Sequence, residues 1–399
     1  AKADAARPRR WIYFGLATAA YAVALLCKPL SVCVPIMALV LELLLFRRPL
    51  RSFRWPLAGW FAAALLLGAW THHIHIVPPV VSTALWQRPF LAGDSLAFYL
   101  VKLFLPWPMA YIYGRSADMV LHHWWGYCTW LLPALVGVLA WKLYRRFPEL
   151  ATGYGLMIAG TLPMLGFLQY QMEQWSDVTD RYMYLAMVGP ALVLAALATR
   201  LRRPALAGIY ALLLVACVFS FRQLSFWRSS DALYRHSIAV FPGDAGVHML
   251  LGDALWDEGN EPDAIAQFCT AARLAPSDGI RSFVAANALL AAGRKEEAIP
   301  YFEQAIKDDP SGAGSYFGLG LIYAESGQAA NAVVQWQAAA RLAPSNPDYH
   351  YNLGLALLRL SRYEEAADQF RIVLVLQPGS PTAQYRLSQA LLAEQKSKR

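Results

Sequence analysis

Up to about residue 225 the chain alternates between long apolar runs and short polar joints. A helix that crosses a membrane needs about 17–25 mostly apolar residues. Seven runs meet that length: 11–27, 30–46, 57–75, 122–143, 150–169, 182–199 and 205–221. An eighth apolar stretch, 94–113, carries Lys102 and the helix-breaking Pro106-Trp107-Pro108. Crossing there would invert every later joint, so the stretch is read as a re-entrant or interfacial element, with Trp107, Tyr111 and Tyr113 at headgroup level.

Beyond residue 225 a different pattern takes over. Pro242, Pro276, Pro310, Pro344 and Pro378 stand 34 residues apart. Ala264, Ala298, Ala332 and Ala366 keep this spacing, as do Gly252, Ala286, Gly320 and Gly354, and as do Phe268, Phe302, Trp336 and Phe370. A 34-residue period of small, small, aromatic and proline positions is the signature of the tetratricopeptide (TPR) repeat, a helix–turn–helix unit that stacks. The small residues let two helices approach, the aromatic fills the gap between neighbouring units, and the proline ends the second helix. The predicted fold class is all-α: a polytopic membrane helical domain followed by a TPR α-solenoid. The membrane domain spans 1–225. The repeats occupy 226–399 as a partial unit 226–244, full units 245–278, 279–312, 313–346 and 347–380, and a terminal helix 381–399.

Composition fits this division. Apolar residues make up 57% of the chain and charged residues 16%, too greasy for an ordinary soluble protein. Residues 1–225 hold 20 Lys and Arg against 8 Asp and Glu, and residues 226–399 hold 15 against 19. The positive charge is gathered in joints: Arg7/Arg9/Arg10, Arg47/Arg48/Arg51/Arg54, Lys142/Arg145/Arg146 and Arg200/Arg202/Arg203. These clusters occupy alternate joints in the positive-inside pattern, so the excess of positive charge points to a membrane and not to nucleic acid. Seven crossings then leave the repeats on the extracytoplasmic side, the periplasm of a bacterium or the endoplasmic reticulum lumen. The five cysteines form no CxxC pair and no disulfide framework. No Walker loop, GxGxxG or GxSxG is present.

Three stretches together resemble one family. Lys28-Pro29 opens an apolar run with Glu42 near its end and paired arginines after it. Lys102-Leu103-Phe104-Leu105-Pro106 continues to Tyr113. Gly160-Thr161-Leu162-Pro163 is followed by Gln169 and Asp180-Arg181-Tyr182-Met183-Tyr184-Leu185. One further span, Phe226-Trp227-Arg228 and the repeats complete the order. From about Arg10 onwards this is similar to the transmembrane-and-TPR-containing proteins, relatives of the protein O-mannosyltransferases built on the GT-C glycosyltransferase fold. Ala186 stands where that family usually has a proline. The resemblance implies transfer of a sugar from a polyprenyl-phosphate lipid to an acceptor hydroxyl on the extracytoplasmic side. It places the catalytic acid in a first outer loop, upstream of residue 1, so the chain is expected to be an internal fragment without its general base.

Such a transfer requires cations to stabilise the departing phosphate. Arg181, Lys28, Lys102 and Arg115 are the cations on the outer side. For Arg181 the plainer alternative is a helix start capped by Asp180 or Thr179, with the guanidinium snorkelling to headgroups. Glu173, Asp177 and Asp180 share one outer loop and are suited either to assisting a base or to holding a divalent cation through oxygen ligands, although their spacing is no defined metal motif. His72, His73 and His75 would meet His122, His123, Trp124 and Trp125 at the outer rim, but no cysteine or paired acid completes a zinc set. On the repeats, Met249, Phe283, Phe317 and Tyr351 take the fifth position of each unit, on the concave face. With Asp253, Asn287 and Asn352 they form a candidate peptide groove, the alternative being that the rings pack on neighbouring helices.

Two functions of different class follow. The first is a membrane glycosyltransferase whose partners are membrane lipids and a protein acceptor recruited by the repeats. The second is a non-catalytic membrane-anchored scaffold for envelope or lumenal complexes; a lipid-linked polymer ligase is a further possibility. Seven spans exceed what an anchor needs and favour the enzyme.

Overall fold

The computed structural model describes residues 6–27, 29–74, 83–105, 109–111, 113, 115, 117–165, 178, 183–201 and 203–398. Among them there is helix and no strand. The chain divides into two compact units, Ala1–Pro242 and Gly243–Arg399. Residues 226–242, expected to begin the repeats, belong to the first unit because their helix is anchored there: the Ser237 hydroxyl accepts from the Tyr111 amide at 3.0 Å, and Val240 and Phe241 pack into the core around Tyr99 and Tyr113.

The first unit contains α1 (Ala6–Cys27), α2 (Val34–Val40), α3 (Arg54–Ile74), α4 (Arg88–Phe104), α5 (Ala117–Leu121), α6 (Leu131–Leu143), α7 (Pro148–Thr161), α8 (Met183–Ala186), α9 (Val188–Ala198), α10 (Arg203–Leu224) and α11 (Ser230–Val240). Two helical stretches among the described residues, Trp124–Leu143 and Ala205–Arg228, are long and apolar enough to cross a membrane. On α10 Tyr210, Leu212, Leu213, Leu214, Val215, Val218 and Phe219 are all exposed, an apolar surface on every side that suits lipid better than water. Two other expected spans are broken helices. The run 30–46 is a 3-10 turn, then α2, then a π-helical turn Leu41–Leu45. The run from 182 breaks at Met187, where Pro190 has no N–H for the Ala186 carbonyl. The stretch 94–113 begins as a buried amphipathic helix, α4, with Leu91, Asp94, Ser95, Tyr99 and Leu100 turned inward.

Helix α7 is the centre of this unit. Small residues set its crossings: a Cβ on Gly153 would come 2.4 Å from Val193 and 2.8 Å from the Gly189 carbonyl, and one on Gly160 would come 2.6 Å from the Ala186 amide. Backbones this close leave no room for a Cβ at Gly153 or Gly160 and only a small side chain opposite, the usual means by which helices associate in membranes. Ala186 is therefore a packing requirement opposite Gly160.

The second unit pairs α12 (Ala245–Asp257) with α13 (Glu261–Leu274), α14 (Gly279–Ala291) with α15 (Lys295–Asp308), α16 (Ala313–Glu325) with α17 (Ala329–Leu342), and α18 (Pro347–Arg359) with α19 (Tyr363–Leu376); α20 (Pro381–Ser397) closes the stack. Ala264, Ala298, Ala332 and Ala366 are wholly buried between paired helices. The periodic prolines stand two residues past each second helix. The residues before them, Ala275, Asp309, Ala343 and Gln377, leave the helical region at φ −129° to −135°, as a following proline demands. Asp244, Asp278, Asn346 and Ser380 cap the next helices with side-chain oxygens, a further 34-residue register.

The aromatics pack against the small residues of the first helices. Phe268, Trp336 and Phe370 lie over the glycine of their own unit's first helix, Gly252, Gly320 and Gly354, and Trp336 shares a buried core with Leu353 and Leu357 of the next unit. Phe302 lies against Gly318 of the next unit.

Candidate functional site

Helix α4 places Asp94, Phe98 and Lys102 on one face, at i, i+4 and i+8. Arg115 reaches back to this face. Its Nη2 donates to Asp94 Oδ1 at 2.5 Å and its Nε to Oδ2 at 3.1 Å, a two-point fork on a carboxylate only 3% exposed. The guanidinium lies over two rings, 5.1 Å from Trp125 and 5.6 Å from Phe98. The Lys102 ammonium sits 4.4 Å from the Tyr113 ring and 5.6 Å from that of Phe98. Two cations are thus held on aromatic faces, and one of them, Arg115, is steadied by a buried acid.

This brings together two of the cations expected to meet the donor phosphate, and gives them different standing. Arg115 spends its fork on Asp94, so only its remaining edge faces outward. Asp94 was not legible as a site residue: its partner is 21 positions away. The available signal was an acid aligned with Lys102 on an otherwise apolar helix. Lys28, Glu173, Asp177, Asp180 and Arg181 lie outside the described residues. So do His75 and the side chains of His72 and His73. His123 Nδ1 is 2.7 Å from the Met119 carbonyl and the ring stacks on Trp125. Among the described residues no three His, Cys, Asp or Glu side chains gather as metal ligands.

The position of this cluster along α7 matters. Tyr113 shares a core with Met157 and packs near Met164, towards the C-terminal end of α7, together with Val240 and Phe241. At the other end of α7 the basic joints converge. Arg47 lies 5.1 Å from the Tyr144 ring, Arg200 lies 5.1 Å from the Phe147 ring, and Arg200 is paired with Glu149. With 14 residues at 1.5 Å each, α7 separates the two groups by about 20 Å.

On the repeats the candidate groove rings are half-buried, and they lean on neighbouring helices. Phe283 touches the Gly314 position of the next unit, Phe317 lies 4.8 Å from Tyr349 of the next unit, and Tyr351 lies 5.8 Å from Phe370. Met249 and Asn287 are also half-buried. Asn352 donates to the Asp348 carbonyl in its own helix at 2.8 Å. Asp253 is exposed, and partial burial, with Asp257 one turn on, pushes its carboxyl above the usual range.

The tetratricopeptide repeat family matches residues 220–279, 283–347, 335–381 and 351–398. The chain is 25% identical over 197 residues to the mouse (Mus musculus) protein O-mannosyl-transferase TMTC4, covering 40% of this chain and 25% of the mouse protein. The chain therefore spans about a quarter of the length of that curated relative. Among solved structures, MamA shows 21% identity over 39% of this chain and 92% of its own, with a TM-score of 0.36. MamA of Desulfovibrio magneticus RS-1 shows 25% identity over 42% and 96%, with a TM-score of 0.35. YrrB, described as a TPR protein with an unusual peptide-binding site, shows 19% identity over 43% and 86%, with a TM-score of 0.36. The helix pairs of the second unit are tetratricopeptide repeats.

Proposed function

We propose that this chain belongs to an integral-membrane glycosyltransferase of GT-C type that passes a sugar from a polyprenyl-phosphate donor to a protein acceptor. The observation that carries the reading is the segregation of charge along α7. Basic joints meet at its start, while the Asp94–Arg115–Lys102 cluster and the approach to the repeats lie towards its end. This supports a membrane domain of about seven spans with its basic joints cytoplasmic and its repeats extracytoplasmic, in a bacterial inner membrane or the endoplasmic reticulum. The partial likeness to a mouse O-mannosyl-transferase supports the same reading.

In this proposal Lys102 and the free edge of Arg115, with Arg181 and Lys28, stabilise the phosphate charge that grows as the sugar departs. Asp94 holds Arg115 in place. The general base is assigned to no residue of this chain. The repeats present the acceptor along Met249, Phe283, Phe317 and Tyr351, with Asp253, Asn287 and Asn352 bonding its backbone.

The test is a cell in which the gene for this chain is deleted. Labelled mannose on extracytoplasmic proteins should fall, and return with the wild-type gene but not with Lys102→Ala. Unchanged labelling alongside lost assembly of an envelope or lumenal complex would replace the enzyme by the scaffold reading.

A further inference from the structure

A hollow of about 500 Å3 opens where two basic joints meet, lined by Leu43, Arg47, Arg48, Pro49, Tyr144 and Arg145. Three guanidinium groups share it with one nearby carboxylate. Glu42 engages Arg48 through both oxygens at 3.2 Å. Among the described residues Arg47 and Arg145 have no carboxylate partner.

The backbone holds Arg47 in place at a cost. The π-helical turn Leu41–Leu45 ends with the Phe46 amide donating to the Leu41 carbonyl at 3.0 Å and the Arg48 amide to the Glu42 carbonyl at 2.9 Å. Between them Arg47 takes φ 51°, the left-handed position at a helix end that glycine usually fills. An arginine there is strained. The turn lays its guanidinium over Tyr144, 5.1 Å from the ring centroid, and the Tyr144 hydroxyl donates to the Leu44 carbonyl at 3.0 Å. The end of α2 is thereby tied to the end of α6, and Arg47 and Arg145 face one space.

We infer that this hollow binds a phosphate group, either the headgroup of an anionic lipid or a soluble phosphate. Guanidinium forks match phosphate oxygens in geometry and charge. An anion relieves the crowding of three like charges, which a single Glu42 leaves uncompensated. Leu43 and Pro49 offer an apolar wall to the carbon portion of a lipid. The site lies at the start of α7, away from the Lys102–Arg115 cluster, and does not depend on any transfer activity. Its lipid arm rests on reading the first unit as a membrane domain.

Detergent-solubilised protein is titrated separately with short-chain phosphatidylglycerol, short-chain phosphatidylcholine and inorganic phosphate. Arg47→Gly is the sharpest variant, because glycine relaxes the turn while the guanidinium is lost; Arg145→Gln tests the opposite wall. Each should weaken binding about tenfold, the loss of one charge-assisted hydrogen-bonding group. Preference for phosphatidylglycerol with no response to inorganic phosphate assigns the lipid headgroup, and a response to inorganic phosphate that both substitutions weaken assigns a soluble phosphate. Equal binding by wild type and both variants, or no binding of either anion, overturns the inference. Alkaline extraction of membranes is run alongside: release of the protein would remove the membrane reading and leave the soluble-phosphate arm standing.

Discussion

Phe302 rests against Gly318 of the following repeat, where a Cβ would stand 2.3 Å from the ring. Phe268, Trp336 and Phe370 each lie against a glycine of their own unit's first helix, where the register of Phe302 has Ala286. Gly318→Ala should overpack a fully buried ring and cost about 1–3 kcal/mol, against about 1 kcal/mol regained from helix propensity. Urea unfolding of the separately expressed unit 243–399 should show a lower midpoint for Gly318→Ala; an unchanged or higher midpoint would show that the ring gives way without cost.

That relationship marks how far the sequence could be read. The period, the buried alanines and the prolines were legible because each unit repeats the same local packing problem. The caps at Asp244, Asp278, Asn346 and Ser380 follow the same period and were equally open to view. That Phe302 meets a glycine 16 positions beyond it, in the next unit, is displayed by no single register. In the first unit apolar runs announce burial without announcing where a helix breaks. The turn at Leu41–Leu45 and the interruption at Met187 come from local hydrogen bonding, and Asp94 becomes a site residue only through a partner distant in sequence.

Ser361 repeats the lesson on a smaller scale. Gly259, Gly293 and Gly327 end the first helix of their units at φ +76° to +80°, and Ser361 holds the same turn at +59°. A side chain there costs about 1 kcal/mol. Ser361→Gly should therefore raise the stability of the repeats by about 0.5–1 kcal/mol, read as a higher urea midpoint with an unchanged slope. A lower midpoint would show that the Tyr363–Ser361 hydroxyl contact outweighs the strain.

Asp244 should make the repeats less stable as pH rises. Its Oδ1 caps α12 through the Gly246 and Val247 amides, while its buried Oδ2 has no hydrogen-bond partner among the described residues. In the next unit Asp278 gives that second oxygen to Arg281, and the residue at the corresponding place after Asp244 is Val247. Burial pushes the Asp244 carboxyl above its ordinary range, against the pull of the capping amides, Arg281 and His248. A folded state that holds the proton more tightly gains stability at acid pH, and loses it as pH rises from the ordinary carboxylate range through the raised value. Asp244→Asn keeps the capping oxygen and removes the titration. It should match or exceed wild type at pH 7, lose that advantage near pH 4, and flatten the pH profile between them. A variant less stable at both values would mean the charge is net favourable.

The Asp94–Arg115 fork separates a structural clasp from a phosphate-binding group. Removing one partner of a buried pair strands the other charge and typically costs about 3–5 kcal/mol. Asp94→Ala and Arg115→Ala should each lower the thermal unfolding temperature of the solubilised protein sharply. Replacing both by apolar residues of similar size, Asp94→Leu with Arg115→Met, removes the stranded charge and should restore most of the stability. The two roles divide at this double variant. If Arg115 also meets the donor phosphate, mannose labelling stays low in a protein that folds, since losing one charge-stabilising group costs on the order of 3 kcal/mol, about a hundredfold in rate. If labelling returns with the fold, Arg115 is a clasp alone, and the phosphate contact passes to Lys102, whose ammonium lies over the Tyr113 ring.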